Sequence, residues 1–182
     1  GEFHVFDLFY AEGAEKEVYD GWFAAMGLPK KPAERIAGYS SWYNRYQDID
    51  EKCILSDLSG CAGVLSEGDV FQIDDGWQVG KSPNSAVAKG SFKNIWDNPD
   101  YWKPDPEKYP RGLHPVVELG RELGVEICLW FNPSVQDGYA DWEKDAQALV
   151  GLYDEYGIRT FKIDGLAIPD KRSESNLRRL FD

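Results

Sequence analysis

Residues Asp69-Val70-Phe71-Gln72-Ile73-Asp74-Asp75-Gly76-Trp77 read as a short apolar run that passes straight into two carboxylates and a turn. A near-continuous run of β-branched and aromatic residues, bounded by polar groups and glycine, is the pattern of a parallel strand covered on both faces. Three other stretches share it. Arg35 to Trp42 carries Ile36, Tyr39 and Trp42; Val125 to Phe131 is almost wholly apolar; Arg159 to Asp164 holds Thr160, Phe161 and Ile163.

Helical patterns separate these runs. After Asp50, a residue suited to an N-cap, Ile54, Leu58, Cys61, Ala62 and Leu65 recur at helical spacing. Leu113, Val116, Leu119, Gly120 and Leu123 repeat the pattern, with Gly124 where a C-cap belongs. Trp142, Ala146, Leu149, Val150 and Tyr153 do so again, closed by Gly157, and Ser173 opens a last stretch that reads as helix over 175–181. Strands alternating with helices predict an α/β fold with a parallel sheet, either doubly wound or a barrel. The connection from Gly76 to Pro110 is rich in Pro, Asn, Asp and Trp, and a connection of that length in a compact domain is usually functional. The start of the chain differs: Phe3, Val5, Phe6, Leu8 and Phe9 look like strand, Val18, Trp22, Phe23 and Met26 form a helical stripe ending near Gly27, and Pro29 to Pro32 reads as a linker.

Composition narrows the function. Seven Trp, 10 Tyr and 9 Phe make up 14% of the 182 residues, a core inventory that a disordered segment lacks. The net charge of −12 argues against nucleic acid, which needs clustered Lys and Arg, and no run approaches the length that spans a bilayer. Two histidines, His4 and His114, and three cysteines without a Cys-x-x-Cys pair argue against a zinc site. Cys53, Cys61 and Cys128 are expected to be reduced, buried and inert.

In parallel α/β folds ligands bind beyond the carboxyl ends of the strands. Those ends carry Trp42; Asp74, Asp75 and Trp77; Trp130, Phe131 and Asn132; and Lys162 and Asp164. Taken singly, an aspartate at a strand end can be a helix cap and a tryptophan can be core, but the four ends share one kind of equipment. Indole faces stack on the C–H faces of sugar rings, and neighbouring carboxylates accept hydrogen bonds from adjacent hydroxyls. Lys162 and Asp164, two apart on a strand, point to one side, where the ammonium can hold the carboxylate ionised as a nucleophile requires. The plainer alternative is a structural ion pair.

Gly38-Tyr39-Ser40-Ser41-Trp42, Phe71 to Trp77, Tyr109-Pro110-Arg111-Gly112-Leu113, Leu129-Trp130-Phe131-Asn132-Pro133 and Phe161-Lys162-Ile163-Asp164 resemble, in order and spacing, the α-galactosidase and raffinose synthase superfamily. The nearest likeness is to glycoside hydrolase family 36, with family 27 behind it, over residues 35 to 170. The resemblance implies a retaining α-galactosidase-like hydrolase, without cofactor or metal, acting on galactose-containing oligosaccharides. Asp164 would be the nucleophile. Lys162 would bind hydroxyls and assist it, Asp74 and Asp75 would grip the hydroxyls that set galactose apart from glucose, and Trp42 and Trp130 would line the pocket. Two positions depart from the pattern: Ser40 stands where the family usually has Asn, and Asn132-Pro133-Ser134 where many bacterial members have Glu-Pro-Glu.

The implied fold is the first half of a (β/α)8 barrel, about four βα units over residues 35–182, with residues 1–34 as the end of a preceding β-sandwich domain and its linker helix. A whole barrel of this type takes about 250 residues, and the family's acid/base aspartate lies on a later strand. The chain is therefore expected to need the remainder of the barrel as its partner; a half-barrel that pairs with a second copy is the alternative. Two other functions remain open at this stage: a Mg²⁺-dependent barrel enzyme with Asp75 and Asp164 as ligands, and a non-catalytic sugar-binding or assembly piece.

Overall fold

A computed structural model describes residues 8–27, 37–81 and 94–182. Two units emerge, Gly1–Arg35 and Ile36–Asp182. In the first, helix α1 (Glu15–Ala25) begins where Glu17 accepts a hydrogen bond from the Ala14 N–H. Its Tyr19, Trp22 and Phe23 rings lie 5.6–6.2 Å apart along one side. Leu8 and Phe9 lie outside any strand, whereas Phe3, Val5, Phe6 and the Pro29 to Pro32 linker fall outside the described residues.

The second unit holds a four-stranded sheet of β1 (Gly38–Ser40), β2 (Val70–Ile73), β3 (Glu126–Phe131) and β4 (Thr160–Ile163). All pairs are parallel, and the order in space is the order in sequence. That order decides between the two architectures left open above. With right-handed crossovers, strands that follow one another without reversal carry their helices on one face, as in a barrel, whereas a doubly wound sheet reverses its order. The crossovers are α3 (Glu51–Gly60) after a short α2 (Trp42–Arg45), α4 (His114–Leu123) and α5 (Trp142–Tyr156); α6 (Lys171–Phe181) follows β4.

Each strand lies within its expected run, and several helix ends follow capping residues, although α3 stops at Gly60, short of Ala62 and Leu65. Asp50 accepts the Cys53 N–H at 2.7 Å and starts α3, while Gly124 and Gly157 close α4 and α5 in the left-handed conformation. The last helix begins at Lys171, earlier than periodicity indicates, because Asp170 caps it through the Ser173 N–H. That bond gives Asp170 a structural role.

Register explains what the sheet buries. Phe71 pairs with Ile127, and Ile73 with Leu129 and then Phe161. With Ile54, Leu58 and Val116 from the helices, these residues form the apolar core. Side chains alternate along a strand, so the opposite face takes the rows Ser40, Gln72, Cys128 and Thr160, and then Trp130 beside Lys162. One face is hydrocarbon and the other polar.

All three cysteines are free: Cys128 is buried, and Cys53 and Cys61 are half-buried. Burial pushes the Cys128 thiol up to about 11, which keeps it protonated near neutral pH.

Candidate active site

The second polar row meets the strand ends, and there the charged groups converge. Asp74 follows β2, Trp130 is on β3, and Lys162 and Asp164 are on and just beyond β4. Lys162 Nζ donates to Asp74 Oδ2 at 2.8 Å and stands 3.6 Å from Asp164 Oδ2. The sequence suggests Asp164 as the lysine's natural partner; the structure gives the closer contact to Asp74, which a strand neighbour carries to the same level.

Asp74 is only 2% exposed and both of its oxygens have partners. Gln72, two residues back on the same face, donates to its Oδ2 at 2.8 Å, and its Oδ1 accepts the Asp75 N–H. Its own N–H donates to Ser41 Oγ at 2.9 Å. A buried carboxylate is tolerated only with such compensation.

Asp164 is held differently. The Trp130 indole N–H donates to Oδ2 at 3.1 Å and the Gly165 N–H donates to Oδ1 at 2.7 Å. Partial burial pushes this carboxyl up, yet the Trp130 and Gly165 donors and the Lys162 charge outweigh it, and Asp164 titrates below the usual aspartate value. For Lys162, partial burial pulls downward, but the two carboxylates, Asp74 first, raise the ammonium above the ordinary lysine value. The side chain of Asp164 remains 47% exposed, so an ionised carboxylate faces open space from a fixed position.

Asp75 is directed elsewhere. It is 3% exposed, and its two oxygens accept from the Gln78 and Gln47 side-chain amides. Among the described residues no group of three or more His, Cys, Asp or Glu is set to hold an ion. The turn it sits in is tight: Gly76 has φ +114°, and a Cβ there would lie 2.7 Å from the Gln47 carbonyl oxygen. Lys108 Nζ ties that turn down by donating to the Gln47 and Gly76 carbonyls.

The three indoles expected at the rim have different fates. Trp130 is 4% exposed and offers the site its N–H more than its ring face. Trp77 is fully buried, donates to the Trp130 carbonyl at 2.9 Å and packs on Trp102, so it is core. Trp42 opens α2, half-buried, with its ring edge-on to Tyr46 at 5.2 Å. The structure thus brings Asp74, Trp130, Lys162 and Asp164 into one hydrogen-bonded group and leaves Asp75 and Trp42 at its margins. Sequence reasoning missed Gln72 and Ser41. The alternation that paired Lys162 with Asp164 also pairs Gln72 with Asp74, whereas nothing local marks Ser41.

No family model matches the chain. Among curated relatives, α-galactosidase C of Emericella nidulans is 28% identical over 148 residues, covering 72% of this chain and 18% of the relative. An α-galactosidase of Escherichia coli is 37% identical over 65 residues, 36% of this chain and 8% of its own length. The chain therefore spans less than a fifth of the curated relatives it matches. Among solved structures, an α-galactosidase of Thermus thermophilus bound to p-nitrophenyl α-D-galactopyranoside superposes with a TM-score of 0.63 at 24% identity, over 92% of this chain and 39% of that one. A family 36 α-galactosidase of Geobacillus stearothermophilus in complex with 1-deoxygalactonojirimycin gives 0.59 at 17% identity, over 81% and 26%. The four parallel strands and their helices match part of the barrel domain of such enzymes. In sequence and in fold alike, the chain resembles the α-galactosidases, consistent with glycoside hydrolase family 36.

Proposed function

We propose that this chain is the nucleophile-bearing part of a retaining glycosidase that cleaves α-galactosides by double displacement. The observation that carries the reading is the state of Asp164: an accessible carboxylate, held ionised by Trp130, Gly165 and Lys162 at a strand end. An Asp164 oxygen attacks the anomeric carbon as the bond to the leaving oxygen breaks. That oxygen takes a proton from an acid, and a glycosyl ester remains on Asp164. Water then attacks the same carbon, loses its proton to the residue that served as acid, and releases Asp164.

Asp74 and Lys162, already bonded to each other, offer an acceptor and a donor to adjacent sugar hydroxyls. Trp42 forms the wall on the β1 side, and Asp75, to which the resemblance gives a hydroxyl contact, is held by Gln47 and Gln78 in the turn that presents Asp74. Retaining enzymes place their two carboxyl groups roughly 5–5.5 Å apart. The buried Asp74 is committed to Lys162, so the acid/base group in this reading is a carboxyl other than Asp74, supplied by the rest of the barrel to which residues 35–182 contribute. The binding partner is a galactose-containing oligosaccharide. Solved neighbours from Thermus thermophilus hold p-nitrophenyl α-D-galactopyranoside and stachyose.

Reaction with a galactose-configured covalent inhibitor, followed by peptide mapping, tests the reading. The adduct is expected on Asp164; an adduct that persists in Asp164→Asn would sink it.

A further inference from the structure

Asn132 lies just beyond β3, is 1% exposed, and is one of the positions where the chain departs from the family pattern, an amide in place of a carboxylate. Its Nδ2 donates to the main-chain carbonyl of Asp164 at 2.7 Å. That carbonyl and the Gly165 N–H belong to one peptide plane, and the same N–H donates to Asp164 Oδ1 at 2.7 Å. The amide of Asn132 thus grips one end of a peptide whose other end grips the carboxylate.

Two further details bear on this arrangement. Gly165 sits at φ +65°, and a Cβ on it would lie 2.0 Å from Asn132 Nδ2, so the amide and the glycine fit as a pair. Asn132 Oδ1 is buried without a hydrogen-bond partner. An orphaned buried acceptor is a standing cost, and turning the amide over would set that oxygen against the Asp164 carbonyl. A glutamate or aspartate at 132, ionised, has no proton to donate there.

We infer that Asn132 is a positioning residue for Asp164, acting through the 164–165 peptide to aim the Gly165 N–H at the carboxylate. The inference rests on the reading of Asp164 as the nucleophile only for its catalytic consequence. Among the described residues, the other charged groups facing Asp164 are Lys162, on its own strand, and Asp74, beyond β2, which reaches it through that lysine. Asn132 touches neither by hydrogen bond.

Carbon-13 NMR titration of aspartate carboxyls in the protein carrying this chain with the rest of its barrel tests it. Replacing Asn132 by Ala lets the peptide turn and weakens the Gly165 N–H bond, so the Asp164 midpoint should rise by about 0.5–1 pH, the scale of losing one of the two or three donors that strongly depress a carboxylate. The near-UV signal of the buried tryptophans should persist. An unchanged midpoint in a folded Asn132→Ala overturns the inference. Should that variant not fold, the unmodified chain decides. One Asn132 amide proton should be protected from exchange and the Gly165 N–H shift should follow the Asp164 titration; free exchange of both Asn132 protons, or a Gly165 shift indifferent to pH, overturns it. Covalent labelling reports separately on the catalytic reading: a moved midpoint with the label on another residue leaves positioning intact and removes the nucleophile, and the converse keeps the nucleophile and removes Asn132.

Discussion

Lys162 occupies the decisive place between two carboxylates, 2.8 Å from Asp74 and 3.6 Å from Asp164. Replacing Asp74 by Asn removes the tighter partner, so the ammonium should swing toward Asp164. Turnover should fall by at least two orders of magnitude, because the proposed sugar contact and its orienting lysine are disturbed together; steady-state kinetics on a form of the protein that turns over α-galactosides measures this. The pH dependence follows from Asp164 itself. Its folded pKa lies below the usual aspartate value, so inhibitor labelling should hold on the acid side through the ordinary aspartate range and fail only as pH falls through the lower value. Trp130→Phe, which removes a donor, should move that limb to higher pH. At this scale the sequence is legible in part. Alternation finds Lys162 beside Asp164, but the closer partner, Asp74, is 88 positions away and becomes a neighbour only when the register sets β2, β3 and β4 level.

Helix α5 carries a buried aspartate that the proposed chemistry does not use. Asp145 is fully buried, accepts the Trp96 indole N–H and the Ser134 N–H, both at 3.0 Å, and so clips the long loop after β2 to the turn after β3. Burial pushes its carboxyl up to about 7, against the pull of those two donors. A folded pKa above the unfolded value means stability that is fully present below about pH 3.8 and is lost as pH rises through 7. Asp145→Asn abolishes the titration, so the stability difference between variant and parent should shift in the variant's favour between pH 4 and 7, by on the order of a few kcal/mol; urea unfolding at a series of pH values measures it. The turn after β2 gives a second test. Gly76→Ala meets backbone at 2.7 Å and a left-handed φ together, and should cost more than the 1–2 kcal/mol or so of the conformation alone. Elements were the most legible level, because strand runs and helix caps are local. The exception is the start of α6, which Asp170 sets at Lys171, ahead of the apolar periodicity, and the separate fates of Trp42, Trp77 and Trp130 depend on packing that spacing does not encode.

For the whole molecule, four consecutive parallel strands with sequential order identify a stretch of barrel, and the chain matches 39% of the Thermus thermophilus structure and 26% of the Geobacillus stearothermophilus one. The sequence conveys this through the order and spacing of motifs, each anchored at a strand end. In the proposed function the second carboxyl group comes from a strand far from β4 in the chain, since closure of a barrel brings together residues from distant strands. The 182 residues alone are accordingly expected to release no measurable galactose from p-nitrophenyl α-galactoside, while joining them to the remaining strands of their barrel should give activity. The central claim is that Asp164 is the attacking carboxylate. Its most direct test uses a galactose-configured reagent whose leaving group departs without a proton donor, applied to the protein carrying this chain with the rest of its barrel and followed by peptide mass mapping. The account predicts one galactosyl adduct on Asp164, absent from Asp164→Asn; an adduct on any other residue, or one that survives that substitution, would contradict it.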